Sequence, residues 1–509
     1  MELIKEKEIF CERVFCEKER VTVEEDIIVP DTKPDILKVL QVDARAYVTD
    51  KGIVSGGVYV QGKLFVNILY IPESDSEGIG CIKTSFDFKT KIDNPGISSG
   101  MSLRVMSDVS RADFMAINSR KLSIKATVCL ECEIFAEKEM EFACELGGTD
   151  NECIYENISQ DRVSAISDCE FEVRESFELA SGKKSISEII KSDAKIIEKE
   201  IKLMQSKLIL KGVLELCILY LTEDKKTDYI EEQISFTEVI DVYELEENDR
   251  CMLNLSIGEI NTELMQDNDG DFRIINVNAL IGVSVCASRQ KEIRLICDCY
   301  CPGMKTKINS SEAFIKSHVS NLCEQNTVKE IIQTESKLPQ IVKIYNTIAE
   351  PEIVKVQPIA GAVNVEGRLK VYILYITDNS KCPVYSLKKD IPFSFNYECE
   401  NVTQGMMCSS NAEVQGVACN LNSSGDIEFK CVLKQEICIT ENKKINVIED
   451  INVEENKNSG DIIIYFVRKG DTLWNIAKKY SVRTADILTL NAIGNDEIFE
   501  GQKLIIPNN

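Results

Sequence analysis

The sequence predicts a mainly β protein: three repeated β-rich modules in series, followed by a small βααβ domain. Three observations predict it. One decamer recurs at two fixed offsets. Alternating apolar residues fill each copy. Helical spacing takes over only in the last forty or so residues.

The repeat is plainest in GKLFVNILYI from Gly62, GVLELCILYL from Gly212 and GRLKVYILYI from Gly367, offset by 150 and 305. The same offsets superimpose Val23, Val173 and Val328, then Ile36, Ile186 and Ile341, then Ala44, Ala194 and Ala349. One register held over that distance makes three copies of one unit, each with about 125 core residues and a connector of about 25. The boundaries are read as 1–147, 148–300 and 301–450.

Within the decamers, Leu64, Val66, Ile68 and Tyr70 share one strand face. Leu214, Leu216, Ile218 and Tyr220 do the same, as do Leu369, Val371, Ile373 and Tyr375. Asn67, Glu215 and Lys370 mark the other face, as expected of half-buried antiparallel strands. Alternation continues in KLSIKATVCLECEIF and FRIINVNALIGVSVCA. DNDGD at Asp267 and NSSGD at Asn422 are hairpin turns. The segments PDILKVLQVDA, SISEIIKSDA and PQIVKIYNTIA are expected to form a short helix or an ordered crossover, and SSEAFIKSHVSNL a helical connector.

Residues 451–461, INVEENKNSGD, have the composition of a flexible linker. The domain at 462–509 then opens with a strand from Ile462 to Val467 and a turn at Gly470, with Asp471 or Thr472 placed to cap a helix. Leu473, Ile476, Ala477 and Tyr480 line one helical face, Ile487 and Leu488 turn inward from a second helix, and GQKLIIP closes as a strand.

Two resemblances follow from these residues. VPDTKPDILKVL from Val29, followed by GKLFVNILYI, resembles the SPOCS domain of spore-forming clostridia, and the likeness covers most of residues 10–450. Its Pro34–Asp35 pair becomes Lys184–Ser185 and Pro339–Gln340 in the later copies. The C-terminal domain resembles LysM domains through Tyr465, Val467, Gly470, Asp471, Thr472, Leu473, Ile476, Ala477, Tyr480, Ile487, Asn491, Gly501, Gln502 and Pro507. LysM resemblance implies binding of N-acetylglucosamine polymers in a groove formed here by Gly470, Asp471, Thr472 and Leu473 with Asn491, Ala492 and Ile493. Trp474, the single tryptophan, lies beside that groove and is either a contact residue or packed on the domain's own surface. The bland reading of the groove is turn geometry at Gly470, capping at Asp471 and Thr472, and helix termination at Asn491.

Charge narrows the partners. Lys and Arg number 59 against 84 Asp and Glu, a net charge of −25, which repels nucleic acid. Six basic and five acidic residues fall between 463 and 509, so the acidity belongs to the repeats. The N-terminus MELIKEKEIFCERVFCEKER has no apolar signal core, and no run approaches the ~20 apolar residues of a membrane span. The expectation is a cytoplasmic chain with its 21 cysteines reduced.

Catalytic patterns are absent or out of context. His318 stands alone, so no His-based triad or metal pair is available. GISSG from Gly96 fits G-x-S-x-G but leads into a strand-like run, and is read as a loop. DNDGD lacks the spacing of a calcium loop. Cys129 and Cys132, and the trio Cys297, Cys299 and Cys301, lack a second ligand pair; inert thiols are the first reading, then oxidative cross-linking, then a metal. Two-residue spacing is expected to put the trio on one face. No cofactor is expected.

The combined resemblance implies a non-enzymatic scaffold of the mother cell, at the forespore surface and in the spore coat. The implied partner is the coat morphogenetic ATPase, stage IV sporulation protein A, bound through the LysM-like domain. The alternative is a peptidoglycan-binding wall or cortex protein.

Overall fold

The computed structural model describes residues 2–73, 79–148, 150–334, 339–379, 383–455, 462–494 and 496–507. The first copy contains β1 (Glu2–Ile28), β2 (Ile36–Val54), β3 (Gly57–Pro72), β4 (Gly80–Asp93), β5 (Ser102–Asn118) and β6 (Lys121–Gly147). The second contains β7 (Glu152–Glu178), β8 (Ile186–Met204), β9 (Lys207–Thr222), β10 (Thr227–Asp241), β11 (Arg250–Gln266) and β12 (Phe272–Tyr300). The third contains β13 (Met304–Ile332), β14 (Ile341–Ile359), β15 (Ala362–Thr377), β16 (Val384–Glu398), β17 (Met407–Leu421) and β18 (Ile427–Glu455). The terminal domain is β19 (Ile463–Phe466), α1 (Leu473–Tyr480), α2 (Thr484–Leu490) and β20 (Lys503–Ile506).

Each copy is two three-stranded antiparallel sheets packed face to face, ordered β2-β3-β4 and β1-β6-β5 in the first. The alternation in the decamers sets the inner face: Leu64, Val66, Ile68 and Tyr70 are wholly buried and meet Leu122, Ile124, Ala126, Val128 and Leu130 of β6. Gly62 and Gly367 keep the central strands clear of aromatic rings. A Cβ at Gly62 would lie 2.4 Å from Phe88, and one at Gly367 2.4 Å from Phe393.

The segments expected to be helix or crossover are strands β2, β8 and β14. Each is interrupted by two bulges at the same repeat positions near its start, and these break the period of two. The bulge re-aims Leu40, Ile190 and Tyr345. With Leu69, Leu219 and Leu374 they form one cluster shared by all three copies. Every copy touches the other two, so the modules close a ring around an approximate three-fold axis. A chamber of about 530 Å³ opens between them, lined by Asp43, Arg45, Asp193, Lys195 and Glu350 among others.

The connectors are also strands. The first half of β1 pairs with the last part of β6 and runs past the sandwich as a two-stranded ribbon; β7 with β12 and β13 with β18 do the same. SSEAFIKSHVSNL therefore lies in β13, not in a helix. Bulges at Val14, Ser164 and Val319 mark where sandwich gives way to ribbon. The three ribbons pack into a stalk through Phe10, Phe142, Ile158, Leu295, Ile315 and Ile445. Residues 451–455, expected to open the linker, belong to β18. The rest of that linker, 456–461, lies outside the described residues.

Candidate functional site

The terminal domain follows from local chemistry. Gly470 has φ +89°, a conformation that costs an L side chain, and it turns the chain from β19 toward α1. The Asp471 carboxylate accepts from the Arg468 N–H at 2.8 Å and the Tyr465 hydroxyl at 2.7 Å, which hold it below the usual carboxylate range. Thr472 is the N-cap, its Oγ1 accepting from Asn475 N at 3.2 Å. Leu473, Ile476, Ala477, Ile487, Leu504 and Ile506 make the core. Asn491 donates to the Ile487 and Ile505 carbonyls and accepts from Ile505 N, tying the end of α2 to β20.

Of the expected groove residues, Gly470, Thr472 and Ala492 are exposed, and Asp471, Asn491 and Ile493 are half-buried. Asp471 and Asn491 spend their polar atoms on hydrogen bonds within the domain. Leu473 is 2% exposed, so its side chain serves the core and is not available to a ligand. What the groove offers is backbone edge at Gly470, Thr472 and Ala492.

Trp474 is half-buried and packs against the second ribbon. Its Nε1 donates to Asp298 Oδ2 at 2.8 Å, and its ring meets Tyr300 edge-on at 4.9 Å. Lys478 forms an ion pair with the same Asp298, and Arg483 Nε donates to Asp150 at 3.0 Å. Thr484 donates to Glu152, Tyr300 donates to the Val482 carbonyl, and Gly303 N donates to the Ser481 carbonyl. The helical side of the domain is thus seated on the tip of the second ribbon. Sequence spacing does not reveal this seat, because its two halves lie more than 170 residues apart.

The opposite side carries a surface that the sequence reading missed. Ile462, Ile464 and Phe466 are 71%, 54% and 60% exposed on the outer face of the β19–β20 sheet, and Phe499 is also exposed. Ile505 lies across from Ile464 on that face. A signal was present: the uninterrupted run IIIYF gives a two-stranded sheet apolar residues on both faces, and the helices cover only one.

The remaining motifs fall into structural places. Residues 96–100 are a loop between β4 and β5 with Ile97 buried. Asp267 Oδ1 accepts from Asp269 N and Asp271 N, and Asn422 Oδ1 from Ser424 N and Asp426 N, so both turns organise hairpins. His318 lies in β13 beside the Arg250 guanidinium at 3.1 Å. A bulge at Cys297 shifts it out of step with Cys299 and Cys301, so the trio does not share one face as its spacing suggests. Among the described residues one group, Cys16, Glu131 and Glu133, has metal-like proximity. There Glu133 pairs with Arg13 and Arg104, and Glu131 with Lys18.

Comparison with known proteins agrees with this architecture. The SipL SPOCS domain matches three times, at residues 35–117, 185–265 and 340–422, and the LysM domain matches residues 465–507. Two curated relatives align over short stretches. An autolysin of Enterococcus faecalis is 47% identical over 51 residues, 10% of this chain and 7% of the relative. The uncharacterized protein YkzQ of Bacillus subtilis is 41% identical over 39 residues, 8% of this chain and 52% of the relative. The chain therefore spans about half or less of the length of these curated relatives.

Proposed function

The chain belongs to the proteins that join SipL SPOCS domains to a LysM domain, and from that premise we propose that it is a non-enzymatic adaptor of spore-coat assembly. The ring of SPOCS domains is the scaffold. The LysM domain captures a protein partner, the coat morphogenetic ATPase, stage IV sporulation protein A. The place of work is the mother-cell cytoplasm at the forespore surface.

One observation carries the protein-binding reading: the open apolar face of Ile462, Ile464 and Phe466. Side chains of this size left in water forgo roughly 25 cal/mol per Å² of burial, and contiguous apolar patches mark interaction surfaces. A second reading, binding of an N-acetylglucosamine polymer, is favoured by the exposed edges at Gly470, Thr472 and Ala492 and by the likeness to an autolysin. It uses the groove rather than the apolar face.

The two surfaces can be tested separately in the full chain. Wild-type protein, the double variant Ile464→Glu/Phe466→Glu, and Ala492→Arg are offered to immobilised ATPase and to insoluble peptidoglycan. The expected result is ATPase capture that falls about tenfold or more in the double variant, a loss of at least ~1.4 kcal/mol, and persists in Ala492→Arg. Retention on peptidoglycan alone, abolished by Ala492→Arg, would instead establish the glycan reading.

A further inference from the structure

Among the cysteines at paired strand positions in the described residues, Cys153 and Cys299 alone lie directly opposite each other. They occupy the antiparallel ribbon of β7 and β12, close to its tip. Opposed residues in such a pair hold their Cα atoms about 4.5 or 5.5 Å apart, and both distances fall within the ~4.4–6.8 Å that a disulfide spans.

Their surroundings are unequal. Cys299 is wholly buried, whereas Cys153 is partly exposed, its Sγ 3.8 Å from Asn151 Oδ1. Interaction between the two thiols lowers the Cys153 thiol from its ordinary range and, with burial, raises Cys299 well above it. Burial moves other thiols the opposite way from Cys153, with Cys11 and Cys81 raised to about 11 and Cys217 and Cys251 to about 12. A partly exposed thiol beside a shielded one is the arrangement of an attacking and a resolving cysteine.

We propose that Cys153 and Cys299 form a reversible disulfide across the tip of the second ribbon, by exchange with a low-molecular-weight disulfide of the glutathione type. The Cys153 thiolate attacks one sulfur of that disulfide; the S–S bond breaks and the departing thiolate takes up a proton. Cys299 then loses its proton and attacks the Cys153 sulfur of the mixed disulfide, releasing the second small thiol. Two protein thiols are oxidised, one small disulfide is reduced to two thiols, and no further electron acceptor is needed.

The position gives the bond a mechanical role. Cys299 stands between Asp298 and Tyr300, which hold Trp474, and Cys153 follows Glu152, which accepts from Thr484. The disulfide joins the two strands that form the seat of the LysM domain. It is independent of which partner that domain binds.

Reduced full-length protein is exposed to oxidised glutathione at neutral pH, quenched by alkylation, digested without reductant and read by mass spectrometry. The expected product is a Cys153-containing peptide linked to a Cys299-containing peptide, lost on adding dithiothreitol. In Cys299→Ala, glutathione is expected to accumulate on Cys153. In the reduced wild-type chain Cys153 should alkylate at least about tenfold faster than Cys299. The proposal is overturned if both thiols remain alkylated in the oxidised wild-type chain, if Cys153 links to Cys301 instead, or if Cys299 takes the adduct. The wild-type arm decides the matter even if Cys299→Ala does not fold.

Discussion

Trp474 Nε1 donates to Asp298 Oδ2 across an interface between two domains, and Lys478 lies against the same carboxylate. The LysM domain is therefore held in one orientation by a charged acceptor that takes two donors.

Asp298→Ala should free this domain. The loss removes a hydrogen bond to a charged group, about 1.5–3 kcal/mol of docking energy, and leaves Lys478 without this partner. Trp474 is the only tryptophan, so its fluorescence reports the event without a label. The expected change is a red-shifted emission with little loss of overall stability. An unchanged spectrum would mean that Tyr300 alone keeps the ring in place.

Gly62→Ala and Gly367→Ala should each destabilise the chain by about 1–3 kcal/mol. The added methyl meets both an aromatic ring and a backbone carbonyl, Tyr47 O at 2.4 Å in the first case and Glu352 O at 2.7 Å in the second. Gly416→Ala meets nothing within 4 Å and is the control. Thermal melts of the three variants test the ordering.

Removing the Lys191 ammonium should cost about 3–5 kcal/mol, because it leaves neighbouring carboxylates without their cation. Its side chain is 2% exposed and pairs with Asp43 from the first copy and with Asp193, at 3.0 Å, from its own. Lys191→Met should therefore lower the denaturation midpoint more than Lys91→Met, whose ammonium lies on the surface beside Asp93. Adding Asp43→Asn and Asp193→Asn to Lys191→Met should recover most of the loss.

Glu350 should make stability fall slightly as pH rises from about 4.5 to about 7. Glu350 lies on the chamber wall but remains exposed to solvent. The desolvation it does undergo, reinforced by Asp108, raises its carboxyl from its ordinary 4.5 to about 7, against a weaker pull from Lys370, and solvent screening keeps the effect on stability small. Between those values the unfolded chain has released the proton that the folded chain retains, so rising pH favours unfolding. Below the window both states are protonated, and above it both are ionised. Chemical denaturation across the window should show this slope, and Glu350→Gln should flatten it.

Repeats and face alternation were legible wherever strands are regular, as in Leu64, Val66, Ile68 and Tyr70. They failed in β2, β8 and β14 because bulges displace Leu40, Ile190 and Tyr345 and spread the apolar residues toward helical spacing. The local chemistry of the LysM turn could be read from the chain, including the capping Thr472. The fate of Trp474 could not, since it is decided by Asp298 and Tyr300 in a different module.

At equivalent positions near the axis the three copies present Gln41, Lys191 and Asn346. A homotrimer of a single module would set three identical side chains there, and three lysines would repel one another. Joining the copies in one polypeptide releases that constraint. One lysine serves carboxylates of two copies, while Gln41 donates to Asp43 and Asn346 to Asp193. Covalent fusion has thus let an approximately symmetric ring acquire an asymmetric centre, and it keeps the ring closed at any dilution.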